Sequence, residues 1–229
     1  GLLPVTALAA EGAPSQLYVG DQQVSSGNDI TYWTTDTSGG LVSALESDSW
    51  NVKYDPTCAT LTLNGATIKG GSDVASIPYG AGIYALCSSN QPVALTIELI
   101  GTNTITGNYG IYVDAQQGVT VGTNASLLIR NSSDNGILEV SGFFYGIYVK
   151  SGTGDASLPI KNASVDAKTT QFYSSYAGVC VQSGSDATSS PQLSLAVNGG
   201  SLTASGCGHN DWVQCYVGNY VARATPRMT

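Results

Sequence analysis

Leu95-Thr96-Ile97-Glu98-Leu99, then Asn103-Thr104-Ile105-Thr106-Gly107, then Gly110-Ile111-Tyr112-Val113: these segments alternate apolar and polar residues and are separated by Gly and Asn. Period-two alternation over four to six residues is strand behaviour. The same three-step phrase lies upstream, in Thr60-Leu61-Thr62-Leu63, Ala66-Thr67-Ile68-Lys69-Gly70 and Gly82-Ile83-Tyr84-Ala85. It recurs downstream in Leu127-Leu128-Ile129-Arg130, Ile137-Leu138-Glu139-Val140-Ser141-Gly142 and Gly146-Ile147-Tyr148-Val149. A degenerate copy of the last step is Gly178-Val179-Cys180-Val181. The first two steps return once more in Leu193-Ser194-Leu195-Ala196-Val197 and Ser201-Leu202-Thr203-Ala204-Ser205-Gly206. The Gly-Ile-Tyr copies and their degenerate relative are offset by 28, 36 and 32 residues.

Repetition at this period, with three short strands per unit, predicts an all-β solenoid over residues 57–206: a parallel β-helix with three strands per coil. Each strand lies beside its counterpart in the next coil, so that Ile83, Ile111, Ile147 and Val179 stack inward. The unequal offsets are absorbed by loops at the corners. The rival architecture is a β-sandwich with Greek-key connections. Ahead of the repeat, Leu17 to Val24 reads as a strand with a turn at Gly20-Asp21, and Trp50 to Leu61 as a hairpin entering the first coil. A solenoid end exposes an open ladder of backbone, so residues 17–56 are predicted to be an N-terminal β cap. Residues 207–229 then form a C-terminal cap or an incomplete coil. Residues 1–16 read as a leader, because the apolar Leu2–Ala9 ends in the small-x-small triplet Ala7-Leu8-Ala9 of a signal peptide. A disordered apolar N-terminus or a first strand is the alternative.

Composition limits the function. Gly, Ser and Thr make up 77 of 229 residues, and only 10% are charged, with a formal net charge of −8. Eight basic residues in an acidic chain cannot form the polycationic footprint that nucleic acid requires. No run of 18 apolar residues exists, so membrane insertion is not expected. The five cysteines leave at least one unpaired within the chain. Cys207 and Cys215 bracket a short loop and are candidates for a small disulfide; buried thiols are the bland alternative for the others. No Cys/His spacing of a zinc site and no carboxylate cage is evident, so neither a metal nor a cofactor is expected.

The Leu-Tyr-Val-Gly opening, the Tyr54-Asp55 turn, Leu61 to Ile68 and Leu95 to Ile105 together resemble a group of secreted β-helix proteins of Gram-positive gut bacteria. These are described as carbohydrate-binding-domain or adhesin proteins. The resemblance covers about residues 17–206. It implies a right-handed, pectate-lyase-like helix, secretion or display at the cell surface, and attachment through longer chains. It supplies no catalytic residues, and residues 207–229 lie outside it.

Two function classes remain open: a non-catalytic binding or adhesion module, and a polysaccharide lyase or glycoside hydrolase of the same shape. Lyase chemistry needs clustered carboxylates and a cationic base. Glu98 and Glu139 fall in different strand steps, and Lys69 and Arg130 are the only basic residues inside the steps read above. No Asp-Asp pair stands out for glycoside hydrolysis, and the twelve Asp residues read mostly as turn formers. His209, the one histidine, has no nucleophile partner and reads as a surface residue. The tyrosines are more informative. With Ile111 and Val113 inward, Tyr84, Tyr112 and Tyr148 face outward and stack across coils. Tyr109 and Tyr145 precede the same motif. An exposed aromatic stripe would suit a polysaccharide, or a host or plant glycan, and its truncation would cost little stability. A purely structural ladder is the alternative. The chain is expected to act as a monomer. If the stripe is closed, the corners at 150–157 and 182–192 become the next candidates.

Overall fold

The computed structural model describes residues 9–25, 27–70, 80–87, 90–117, 120–121, 123–131, 135–171, 175–184, 191–206, 213–217, 220–223 and 227–228. The chain is a parallel β-helix with three strands per coil, as the repeat predicts. The first ladder runs from Thr60–Asn64 through Val93–Ile100 and Ala125–Asn131 to the first halves of Ala156–Thr169 and Leu193–Ser205. The second runs from Thr67–Lys69 through the first halves of Thr102–Asp114 and Ile137–Ser151. It continues on the second halves of Ala156–Thr169 and Leu193–Ser205. The third joins Ile83–Leu86, the second halves of Thr102–Asp114 and Ile137–Ser151, then Val179–Ser183 and Val213–Val217. Every pairing within the three ladders is parallel. Among the described residues no helix is long and apolar enough to cross a membrane.

Register turns alternation into stacks. Leu61, Ile97, Ile129, Ile160 and Val197 follow one another up the first ladder. Ile68, Ile105, Val140, Ala167 and Ala204 do so in the second. In the third, the expected stack of Ile83, Ile111, Ile147 and Val179 continues to Val213. All of these belong to one continuous buried core. Full burial of an Ile or Leu contributes about 1.5–3 kcal/mol, so these stacks are the main stabilising force.

The N-terminal segment closes all three ladders at one end. Gln16–Val19 pairs antiparallel with Ile83–Leu86, and Val52–Asp55 pairs antiparallel with Thr60–Asn64. The Lys69 N–H donates to Gly39 O at 2.9 Å. Leu17, Val19, Val24, Leu41, Val52 and Tyr54 complete the core from this side. The sequence places the hairpin of 50–61 correctly but gives no hint that Leu17–Val19 covers the third ladder. Thr31–Thr35 and Leu41–Ala44 form the outer hairpin of the cap. There the N–H groups of Leu41 and Leu45 donate to the carboxylates of Asp21 (2.8 Å) and Asp48 (2.7 Å). Aspartate side chains thus occupy donors that a second chain could otherwise use to pair. At the other end, Val213–Val217 and Tyr220–Arg223 form an antiparallel pair, and Arg227–Met228 extends the first ladder.

The corners need special backbone. Between first and second ladders the chain turns through a left-handed residue, Gly101 at φ 68° and Asn162 at φ 54°. Beside that turn the buried Asn103 accepts from the Ala66 N–H at 2.8 Å and donates to the carbonyls of Ile100 and Gly101, both at 3.2 Å. Gly110 has a different reason. A Cβ there would lie 2.3 Å from Val140 Cγ2 and 2.4 Å from Gly146 O, because this corner folds onto the next coil. Gly110→Ala is therefore expected to destabilise the fold by about 1–3 kcal/mol or more through overpacking. A urea midpoint equal to that of the parent protein would refute this account of the motif.

Candidate functional site

Two outward faces bear on function. On the third ladder, Tyr84, Tyr112 and Tyr148 are in register across consecutive coils, on the side away from Ile111. Their expected exposure is not found: they are 3%, 6% and 7% exposed. They form a second core with Ala81, Leu86 and Cys180, against which Tyr18, Tyr109 and Tyr145 pack. Tyr112 makes edge contacts with Tyr84 at 5.1 Å, Tyr148 at 4.7 Å and Tyr109 at 5.0 Å between centroids. Such edge-to-face pairs add about 0.5–1.5 kcal/mol each to simple burial. The polar ends are accommodated too. Tyr84 O–H donates to the buried Asp114 carboxylate at 3.1 Å, and Tyr148 O–H donates to Gln182 Oε1. Tyr109 and Tyr145, like Tyr18, are half-buried rather than closed off.

Burial carries a cost for truncation. Tyr112→Ala is expected to destabilise the protein by about 3–5 kcal/mol, as a large core side chain does, where an exposed stripe would have cost little. Burial, and then the Asp114 carboxylate, also holds the Tyr112 hydroxyl above the ordinary tyrosine range. Tyr54 is pushed from its ordinary 10.0 up to about 12, by burial first and then by Cys58 and Asp55. Both groups keep their protons in the folded state while the unfolded chain releases them. Their stabilisation is complete below pH 10 and is lost as pH rises toward 12 and beyond. Urea midpoints measured across the alkaline range should fall over that window; a flat profile would contradict the assignment.

The second ladder presents the open face. A cleft of about 300 Å³ is lined by Thr104, Thr106, Glu139, Val140, Ser141, Asp166 and Lys168. Its polar side chains form two columns across three coils. Thr104, Glu139 and Asp166 are in register, and so are Thr106, Ser141 and Lys168. Downstream of Ser141 the strand turns through Phe143 and Phe144. Phe143 is 48% exposed, and Phe144 contacts Tyr109 at 5.3 Å and Tyr176 at 4.9 Å. The corner is fastened by Thr169 Oγ1 donating to Phe143 O at 3.1 Å and by the Thr170 N–H donating to Gly142 O at 2.9 Å. A second cleft, of about 430 Å³, lies at the end of the cap hairpin between Ile30–Trp33 and Ser43–Glu46.

The open face corrects the sequence reading. Glu139 has a carboxylate neighbour, Asp166, directly opposite on the next coil. Basic residues in strands also include Lys53, Lys150, Lys161 and Lys168, beyond Lys69 and Arg130. Glu98 lies apart on the first ladder, paired with Arg130 at 3.1 Å. The Ser151 hydroxyl donates to Gly154 O at 2.7 Å, tying down part of the 150–157 corner. Cys58 is exposed and Cys87 and Cys180 are buried. Cys207, His209 and residues 185–190 lie outside the described residues, as does the Cys215 side chain, so the suggested disulfide does too. Among the described residues no group of three His, Cys, Asp or Glu is placed to hold a metal ion. No protein-family model, curated protein or solved structure matches the chain.

Proposed function

We propose that the protein is a non-catalytic glycan-binding module, exported or displayed at the cell surface, that holds polysaccharide on the outward face of its second ladder. The observation that supports this is the cleft itself: hydroxyls, carboxylates and an ammonium group from three coils share one open face, beside an aromatic corner. Sugar recognition uses that combination. Ring C–H faces pack on aromatic carbon, and hydroxyl groups exchange hydrogen bonds with Thr, Ser, Glu and Asp. The resemblance to secreted carbohydrate-binding β-helix proteins leads to the same reading.

The in-register Glu139 and Asp166 raise the hydrolase alternative, since paired carboxylates cleave glycosidic bonds. A general acid must be kept protonated, usually by an apolar, desolvated pocket. Glu139 and Asp166 are both exposed on an open sheet, which favours binding over cleavage.

The test is depletion of the protein by insoluble polysaccharides and retardation in gels containing soluble ones. The double variant Glu139→Ala, Ser141→Ala should weaken retention at least about tenfold. Its stability should stay within about 0.5 kcal/mol of the parent protein, because Glu139 is exposed and Ser141 gives up only a half-buried hydroxyl on the outer face. Retention of the variant equal to the parent's would remove this face. Release of reducing ends in the same samples would move the assignment to a hydrolase.

A further inference from the structure

The periodicity of the cleft specifies its ligand more closely, and this step rests on the glycan-binding reading above. We infer that the polysaccharide is neutral, linear and β-linked, and that it lies along the solenoid axis with one sugar per coil.

Neighbouring strands in a sheet are roughly 4.7–4.9 Å apart. The cleft therefore presents polar groups at a fixed interval along the axis, because its residues are in strict coil-to-coil register. A pyranose in an extended β-1,4-linked chain advances by only slightly more than this, so over the three coils of the cleft successive sugars stay close to successive strands. An α-1,4-linked glucose chain coils and drifts out of phase after one or two residues, whereas an α-1,4-linked galacturonate chain is extended and is set apart by its charge. Each coil also offers two outward groups at positions i and i+2, about 6.5–7 Å apart along the strand. These are Thr104 with Thr106, Glu139 with Ser141, and Asp166 with Lys168. That separation straddles one sugar ring, so the two polar edges of each sugar meet two polar side chains. The columns continue beyond the cleft, through Thr67 and Lys69 on one side and Thr203 and Ser205 on the other.

Charge sets the class. Glu139 and Asp166 face the ligand one coil apart, in a chain of net charge −8. A carboxylate accepts two hydrogen bonds from neighbouring sugar hydroxyls, and such charge-assisted bonds are strong. A uronate chain would instead bring its own carboxylates against these two. Lys168 balances one of them, and Lys69, the other cation of the columns, stands two coils from Glu139.

The experiment is calorimetric titration with oligosaccharides of two to six sugars. The series are β-1,4-linked glucose, mannose and xylose, α-1,4-linked glucose, α-1,4-linked galacturonate and β-1,4-linked glucosamine. One neutral β-linked series should bind best, with affinity rising several-fold per sugar up to three and flattening beyond five. Asp166→Ala, checked for an unchanged melting temperature, should remove the gain made on going from two sugars to three. The double variant Glu139→Gln, Asp166→Asn should narrow the gap between neutral and galacturonate chains at low salt. Affinity independent of length beyond the disaccharide overturns the axial placement. Preference for galacturonate, glucosamine or the α-linked glucose series overturns the ligand class. In all of these cases the binding function itself stands. Failure of every series, together with failure of intact polysaccharides in the depletion assay, overturns the binding function.

Discussion

Coil-to-coil register is the constraint on which this structure depends. In a parallel ladder each residue sits beside its counterpart one coil away, and side chains alternate between faces. A residue type repeated at the right period is therefore stacked on its own kind, whichever way it faces. Inward, this produces the Ile83–Ile111–Ile147 and Leu61–Ile97–Ile129 stacks. Outward, the same rule produces the tyrosine stack and the two polar columns. A one-residue slip would exchange core and surface along a whole strand, so the buried stacks also fix the geometry of the exposed ones.

Side and exposure are separate properties, and alternation reports only the first. The side that Tyr84, Tyr112 and Tyr148 take was readable from the neighbouring Ile and Val. Their burial was not, because it depends on groups that meet them from elsewhere: Tyr109 and Tyr145 from the preceding corner, and Tyr18 from the cap. The pairing of Glu139 with Asp166 was lost for a different reason. Residues 156–169 form one continuous strand spanning two ladders, and its corner is made by Asn162 at φ 54°. The other repeats mark that corner with glycine, and here asparagine stands in its place. The alternation of Ser164-Val165-Asp166-Ala167-Lys168, matched against Ile137 to Ser141, would have recovered it. The cap was legible as a need, since an open ladder must be covered. Which strand covers which ladder depends on long-range antiparallel pairing that no local pattern encodes.

The buried tyrosines and the open cleft are parts of one arrangement. Tyr109 and Tyr145 rest on Tyr112 and Tyr148 at 5.0 and 4.8 Å, and Phe144 rests on Tyr109. The aromatic corner beside Ser141 is thus supported from beneath by rigid rings packed between coils. An aromatic group on an unsupported loop would have to be ordered by its ligand, at the expense of affinity. Here the order is already present in the fold. The buried tyrosine stack acts on the open face by holding Phe144, and through it Phe143, at its edge. The Thr169 and Thr170 hydrogen bonds hold the same corner from the next coil. The columns of the second ladder and their aromatic edge are then positioned by a single device, the coil-to-coil register that the buried stacks fix.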